Sequence, residues 1–182
     1  HLAEASDAED DDAAAAFDLA VEQVRAAGGA PELLHLTASA ASWWRPELRG
    51  TLSRIGAFCY GVRSADGPEV PGVAPVATLR ATVRAVHADG VEVGIGSLHG
   101  LPSTLAGVTV GTPAGRRLLR GIGAVTSHVD KWDGATIGDT VAIFGPGAQG
   151  EADATALAEQ IGTVGEEILT RLTDAVRRVS VD

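Results

Sequence analysis

The sequence predicts an α/β segment followed by a small β domain, and two observations support this fold class. Between residues 13 and 62, a helical apolar repeat alternates with short apolar runs, which is typical of α/β architecture with parallel strands. From residue 76 onward, short alternating stretches are separated by turn residues, which indicates a small β domain. We therefore expect a first domain at 1–63, a Gly- and Pro-rich linker at 64–75, and a β domain with a terminal helix at 76–182.

The first segment is expected to hold about one and a half helix–strand units, too few to close a sheet. Phe17, Val21 and Val24 recur at helical spacing and predict a helix over 13–27, which Gly28 ends. The apolar runs that follow predict a buried strand at 33–36, a short helix at 38–44 and a second buried strand at 54–62.

The second segment consists of short apolar stretches separated by turn residues such as Ala88-Asp89-Gly90. They predict strands at 76–86, 91–95, 107–111, 117–122 and 140–144, helices at 152–161 and 164–172, and a last strand at 178–181. The sequence contains no internal repeat.

Charge and composition exclude several classes of function. The net charge is −10, and residues 4–12 hold six carboxylates, which is typical of a solvated helix start. The basic residues form no stripe, so nucleic-acid binding is not expected. No apolar run is long enough to span a bilayer, and Cys59 is the only cysteine, so no internal disulfide can form. We expect a cytoplasmic protein. Because the sequence lacks methionine and begins with His1, we also expect it to be part of a longer chain.

Four short stretches stand in a fixed order along the chain. They are His1–Ser6, His35-Leu-Thr-Ala-Ser39, Arg54-Ile-Gly56, and the closing stretch from Gly162 to Leu172. This order resembles the second half of an alanine racemase, and the resemblance covers nearly the whole chain. It implies the last part of a (β/α)8 barrel that binds pyridoxal 5′-phosphate (PLP), followed by the carboxy-terminal β domain of that family. Alanine racemases use PLP to interconvert L- and D-alanine.

The resemblance implies a cofactor site in the first segment. Ser39 and the backbone of Gly56 and Ala57 match the positions that hold the PLP phosphate, a role that hydroxyl and N–H groups suit. Arg54 matches the arginine at the pyridine nitrogen, and His35 matches the histidine that orients this arginine. An arginine at that nitrogen favours racemisation over wider PLP chemistry.

The proton-transfer groups of the family have no close match in this sequence. Its Gly-Tyr-Ala-Asp-Gly motif carries the tyrosine that acts as a general base from the partner subunit. This motif aligns with residues 96–100, so Ser97 stands at the tyrosine position. Thr126 stands where the family contacts the substrate carboxylate, and Glu166 where it has a phosphate-binding tyrosine. The Schiff-base lysine has no counterpart, and we expect Lys131 to be a surface turn residue.

Several side chains permit more than one interpretation. His99 is the candidate to replace the missing general base, against an ordinary turn histidine. A metal pair of His99 with His128 lacks a ligand spacing, and a hydrolase triad around Ser97 lacks the surrounding motif. Trp43 and Trp44 either stack on a ligand or pack at an interface.

We therefore predict an alanine racemase-like protein that uses PLP and a small amino-acid substrate, without a metal, nucleic acid or membrane. This chain alone is expected not to racemise alanine. It is expected to form a homodimer or to associate with a missing amino-terminal portion. The alternative function is a non-catalytic PLP-binding or dimerisation module derived from an alanine racemase.

Overall fold

A computed structural model of the chain describes residues 7–63 and 70–181. The chain divides into two compact units, residues 1–73 and 74–182, which we call unit 1 and unit 2. The opening motif His1–Ser6 lies outside the described residues, and so do residues 64–69 of the predicted linker. The domain boundaries drawn from the sequence therefore stay a prediction.

The described residues of unit 1 form two α-helices and two short 3-10 helices. The α-helices are α1 (Asp7–Ala26) and α2 (Ser39–Trp44), and the 3-10 helices span Pro46–Leu48 and Ala57–Tyr60. Both predicted helices are confirmed, and α1 begins earlier because acidic residues favour the positive end of a helix. Leu36 and Ala41 are buried, and Phe17 and Leu48 pack against them. This small apolar cluster joins α1 to α2.

The two strands predicted in unit 1 are wrong. The run at 33–36 contributes a single parallel bridge between His35 and Leu52, and the side chain of Leu33 is 69% exposed. The run at 54–62 instead holds the 3-10 helix Ala57–Tyr60. Parallel strands are stable only within a sheet of several strands, and the described residues of unit 1 form isolated bridges, at His35 and Thr37, and no strand.

Unit 2 is built around a closed barrel of six antiparallel strands. The strands are β1 (Leu79–Val86), β2 (Gly90–Val93), β3 (Thr109–Thr112), β4 (Gly115–Ile122), β5 (Ser127–Asp130) and β6 (Thr140–Phe144). They follow one another around the barrel in the order β1-β2-β5-β4-β3-β6. Five were predicted, with bounds that differ by a few residues, whereas β5 was not. Leu79, Ala81 and Val83 alternate with exposed residues along β1, so one face of the strand forms the barrel core.

Two helices follow the barrel, as the sequence predicts. They are α3 (Ala154–Glu159) and α4 (Gly165–Thr170), and the Asp153 carboxylate caps α3 by accepting the Ala156 N–H at 2.8 Å. Leu157 and Ile168 bury the apolar faces of these helices. The strand predicted at 178–181 is wrong: these residues form no strand, and Val181 is 87% exposed. A closed barrel has no free strand edge to pair with them.

None of the helices in the described part of the chain is both long and apolar enough to cross a membrane.

Candidate functional site

The first group of predicted site residues lies on two neighbouring loops of unit 1 (residues 37–39 and 54–57). We call them the phosphate loops after the role predicted for them from the sequence. The loops continue from the parallel bridge between His35 and Leu52. The Arg54 backbone N–H donates to the Thr37 carbonyl at 3.2 Å, and the Gly56 N–H donates to Ser39 Oγ at 3.0 Å. The structure thus brings Ser39 and Gly56 into direct contact, although 17 positions separate them in the sequence.

The surface in front of Gly56 is open. A Cβ atom built on Gly56 would have no neighbour within 4 Å. Among the described residues, no acceptor binds the N–H of Ala57, the first residue of a 3-10 helix. Ser39 is buried, with 5% of its surface exposed, so its hydroxyl has a fixed position. A hydroxyl, a free N–H and open space beside a glycine form a suitable cradle for an anionic oxygen.

His35 has a defined proton arrangement. Its Nδ1 lies 3.3 Å from the Leu52 carbonyl oxygen, which can only accept a hydrogen bond. Nδ1 therefore carries a proton, and in the neutral ring Nε2 is an acceptor. An acceptor at Nε2 suits a guanidinium donor. Arg54 is two positions after Leu52 and is exposed.

Thr37 holds the phosphate loops together, and the sequence analysis did not identify it as a site residue. It is fully buried, its Oγ1 accepts the Ser42 hydroxyl at 2.7 Å, and it shares a second hydrogen bond with Ser53 at 3.2 Å. This network joins α2 to both loops. Only the abundance of serine and threonine in this region is visible in the sequence.

The second group of predicted residues lies on a short turn of unit 2 that we call the Ser97 turn (residues 96–100). Backbone N–H groups of Ser97 and Leu98 donate to the carbonyls of Gly123 and Ala124, both at 2.9 Å. Ser97 is exposed, and its hydroxyl forms no hydrogen bond with any described residue. His99 Nδ1 instead accepts the Gly96 N–H at 3.1 Å. The structure therefore places Ser97 and His99 in one turn without joining their side chains.

The side chains of Thr126 and Glu166 differ in their hydrogen bonds. The Thr126 hydroxyl donates to Glu92 Oε1 at 3.0 Å, a contact that the sequence analysis missed. Glu166 lies in the first turn of α4, and its Oε2 is buried without a hydrogen-bond partner among the described residues. At the adjacent Glu167, the Thr163 hydroxyl and then Arg171 lower the pKa of the carboxyl group.

The surroundings of the remaining candidate residues do not indicate a binding site. Lys131 is exposed directly after β5, as expected for a surface residue. Trp43 packs edge-on against Phe58, with ring centroids 6.3 Å apart. Within the described residues, no three His, Cys, Asp or Glu side chains are grouped so that they could hold a metal ion. A cleft of about 610 Å³ in unit 2, lined in part by Arg116 and Glu151, contains none of the predicted site residues.

The described part of the chain is thus a helical segment with two hydrogen-bonded loops, followed by a six-stranded antiparallel barrel. Two family profiles match the chain. The profile described as "Alanine racemase, C-terminal domain" matches residues 73–180, and "Alanine racemase, N-terminal domain" matches residues 1–64. The chain therefore belongs to the alanine racemase family, and the fold class predicted from the sequence is confirmed.

Individual relatives support the same assignment. The alanine racemase of Thermobifida fusca is 33% identical over 186 residues, which is 90% of this chain and 50% of that protein. The solved alanine racemase of Streptomyces coelicolor A3(2) superposes with a TM-score of 0.83 at 27% identity, covering 91% of this chain and 50% of that one. The Bartonella henselae alanine racemase, solved with covalently bound pyridoxal phosphate, superposes with a TM-score of 0.81 at 22% identity, covering 98% of this chain and 51% of that one. At this identity the match shows a likeness of fold.

The chain spans about half the length of the curated relatives it matches. The matched half contains the phosphate loops and the complete barrel of unit 2.

Proposed function

We propose that this chain is the carboxy-terminal half of an alanine racemase-like protein and that its phosphate loops bind the phosphate of PLP. The single observation that carries the proposal is the hydrogen bond from the Gly56 N–H to Ser39 Oγ beside the open surface at Gly56. It fixes a hydroxyl next to the free N–H of Ala57, and both groups can donate to a phosphate oxygen. Relatives named alanine racemase, one of them solved with pyridoxal phosphate, support PLP as the ligand.

His35 and Arg54 are proposed to contact the pyridine ring side of the cofactor. Because His35 Nδ1 donates to the Leu52 carbonyl, its Nε2 can accept from a guanidinium and orient Arg54 toward the pyridine nitrogen. Bound PLP supplies an electron sink that makes the Cα–H bond of an amino acid easier to break. An arginine beside the pyridine nitrogen weakens this sink and limits the range of reactions.

The proposed reaction is racemisation of alanine at a low rate. Racemisation needs an acceptor that removes the Cα proton and a donor on the opposite face. Ser97 stands at the family's tyrosine position, but an aliphatic hydroxyl without a neighbouring base is a poor proton acceptor at neutral pH. The Thr126 hydroxyl, proposed to contact the substrate carboxylate, already donates to Glu92. Substrate binding at Thr126 therefore has to compete with an existing hydrogen bond.

A second candidate function is PLP binding without catalysis, in a binding or dimerisation module. The specific observation in its favour is the asymmetry between the two groups of residues. The phosphate loops form an ordered cradle, whereas neither Ser97 nor Thr126 offers a proton acceptor. The measured racemisation rate distinguishes the two candidates.

We also propose that the assembled protein is a homodimer or a complex with the remaining part of the racemase, located in the cytoplasm. Apolar residues exposed on unit 1 support association. A cytoplasmic location suits a protein that binds PLP and acts on a free amino acid.

Pyridoxamine 5′-phosphate tests the phosphate loops directly, because it retains the ring and phosphate of PLP but cannot form a Schiff base. We expect the chain to bind it more tightly than pyridoxamine, which lacks the phosphate. We expect Ser39→Ala to weaken binding about tenfold or more, since a hydrogen bond to a charged group contributes about 1.5–3 kcal/mol. Isothermal titration calorimetry measures both affinities.

Ser53→Ala is the matched control, because it removes a neighbouring hydroxyl that bonds to Thr37 rather than to Gly56. Equal affinity of Ser39→Ala and Ser53→Ala for pyridoxamine 5′-phosphate would refute a phosphate role for Ser39.

A further inference from the structure

We propose that His99 is a positioning residue of the Ser97 turn and not its proton acceptor. This inference rests on the proposed function only for the role of Ser97. The observation that carries it is the 3.1 Å hydrogen bond from the Gly96 backbone N–H to His99 Nδ1.

The hydrogen bond fixes the tautomer of His99. A backbone N–H can only donate, so Nδ1 must be the unprotonated nitrogen of a neutral ring and Nε2 must carry the proton. This is the opposite arrangement from His35, whose Nδ1 faces a carbonyl oxygen. The two histidines can therefore be distinguished by geometry alone.

The same arrangement prevents His99 from acting as a base toward a bound molecule. Nε2 forms no hydrogen bond with the described residues and reaches the surface, but it already carries a proton. The only nitrogen able to accept a proton is Nδ1, which faces the Gly96 N–H. If Nδ1 took up a proton, its N–H would face the Gly96 N–H, and two donors cannot form a hydrogen bond with each other.

His99 has a structural task in this turn. It is the third residue of the 3-10 helix Ser97–His99 when Gly96 is taken as the cap, and its side chain reaches back to the cap's N–H. This is one half of a capping box. Thr173 completes the restraint from the other side, since its N–H donates to the His99 carbonyl at 3.2 Å and its hydroxyl to the Leu98 carbonyl at 2.9 Å.

Nuclear magnetic resonance of the complete chain tests the tautomer. Long-range ¹H–¹⁵N correlation at about pH 8, where imidazoles are neutral, should show His99 Nδ1 with the shift of an unprotonated nitrogen and Nε2 with that of a protonated one. His35 should show the reverse pattern. A neutral His99 protonated on Nδ1 would overturn the proposal.

Hydrogen exchange of the Gly96 amide tests the positioning role. His99→Ala should accelerate it roughly twofold to tenfold, the loss expected for one neutral hydrogen bond. His99→Asn should restore the wild-type rate, because Asn Oδ1 occupies the place of Nδ1.

Unchanged Gly96 exchange in His99→Ala would contradict the proposal. If His99→Ala does not fold, the tautomer measurement on the unaltered chain still decides it. Binding of pyridoxamine 5′-phosphate depends on unit 1, so failure of that assay leaves the His99 result intact.

Discussion

At the scale of single residues, Glu151 shows how one carboxylate can organise a loop. The residue is 5% exposed, and its two oxygens accept the backbone N–H groups of Gly147, Ala148 and Gln149 at 3.1, 3.2 and 2.7 Å. Burial alone would raise the pKa of this carboxyl group, but the backbone hydrogen bonds outweigh burial and lower it. The charged form is thus the form that the folded loop stabilises.

This arrangement predicts acid sensitivity of unit 2. Because the folded-state pKa of Glu151 is depressed, its contribution is complete above the ordinary glutamate pKa of 4.5 and is lost as the pH falls through the folded value. Glu151→Gln should lower the free energy of unfolding at neutral pH and flatten its acid dependence. Urea unfolding between about pH 7 and pH 3 measures both effects. Asp133 is an exposed carboxylate and provides the control: Asp133→Asn should change neither the free energy of unfolding at neutral pH nor its acid dependence. The same dependence of the unfolding free energy on pH in both variants would contradict the prediction.

At the scale of the element, the Ser97 turn depends on a close approach of two chain segments. Gly100 has a φ of +93°, and a Cβ built on it would lie 2.0 Å from the Arg171 carbonyl oxygen. Gly107 has a similar φ of +101°, but no atom lies within 4 Å of its Cβ position. Substituting Gly100 and Gly107 in turn therefore distinguishes the free-energy cost of a left-handed backbone from the cost of a steric clash at Cβ.

Gly100→Ala should therefore destabilise the protein more than Gly107→Ala. The left-handed conformation alone costs about 1–2 kcal/mol for alanine, which is the expected effect at Gly107. At Gly100 the clash with Arg171 adds to this cost, because neither backbone segment can move freely. Thermal unfolding monitored by circular dichroism compares the two variants. Equal destabilisation would show that the 171–173 segment does not press on the turn.

The elements also show what the sequence reveals and what it does not. The alternation along β1 and the turn at Ala88-Asp89-Gly90 predict their strands, since each signal is local. Strand β5 was not predicted, because Ser127-His128-Val129-Asp130 contains a single large apolar residue. In the structure, Ser127 and Val129 are both buried. Conversely, the residues at 178–181 have the composition of a strand but no free edge to pair with.

The candidate site follows the same division. The motifs predict Ser39 and Gly56 as site residues, and the structure brings these two residues into contact; their role toward a phosphate stays a prediction. The hydrogen bond between Thr126 and Glu92 spans 34 positions and depends on where β2 and β5 lie in the barrel. A contact of this kind follows from tertiary structure, so no local pattern predicts it. The hydrogen bond between the Gly96 N–H and His99 is local, but the sequence does not show which ring nitrogen faces the N–H.

At the scale of the whole molecule, the exposed apolar side chains of unit 1 predict association. The side chain of Leu33 is 69% exposed, that of Tyr60 58% and that of Ile55 47%. The chain itself spans about half the length of the relatives it matches. We expect light scattering to report a mass above 18.5 kDa for the isolated chain at micromolar concentration. Leu33→Glu with Ile55→Glu should reduce that mass, whereas Val181→Glu on the exposed tail should not. A stable monomer at all concentrations would contradict this expectation.

The chain spans about half the length of the alanine racemases it matches, so the proposed racemisation is tested with the other half supplied by a relative. In a chimera that joins the first half of the Thermobifida fusca alanine racemase to this chain, we expect cofactor binding with slow racemisation. Loss of a positioned general base typically costs on the order of 10²–10⁴ in rate, which sets the expected gap from a tyrosine-bearing racemase. Ser97→Tyr alone should recover little, because the Thr126 hydroxyl remains bonded to Glu92. A coupled assay for D-alanine measures the rates. Full activity of the unaltered chimera would mean that Ser97 does not occupy the tyrosine position, because the structure leaves His99 without a surface nitrogen able to take the proton.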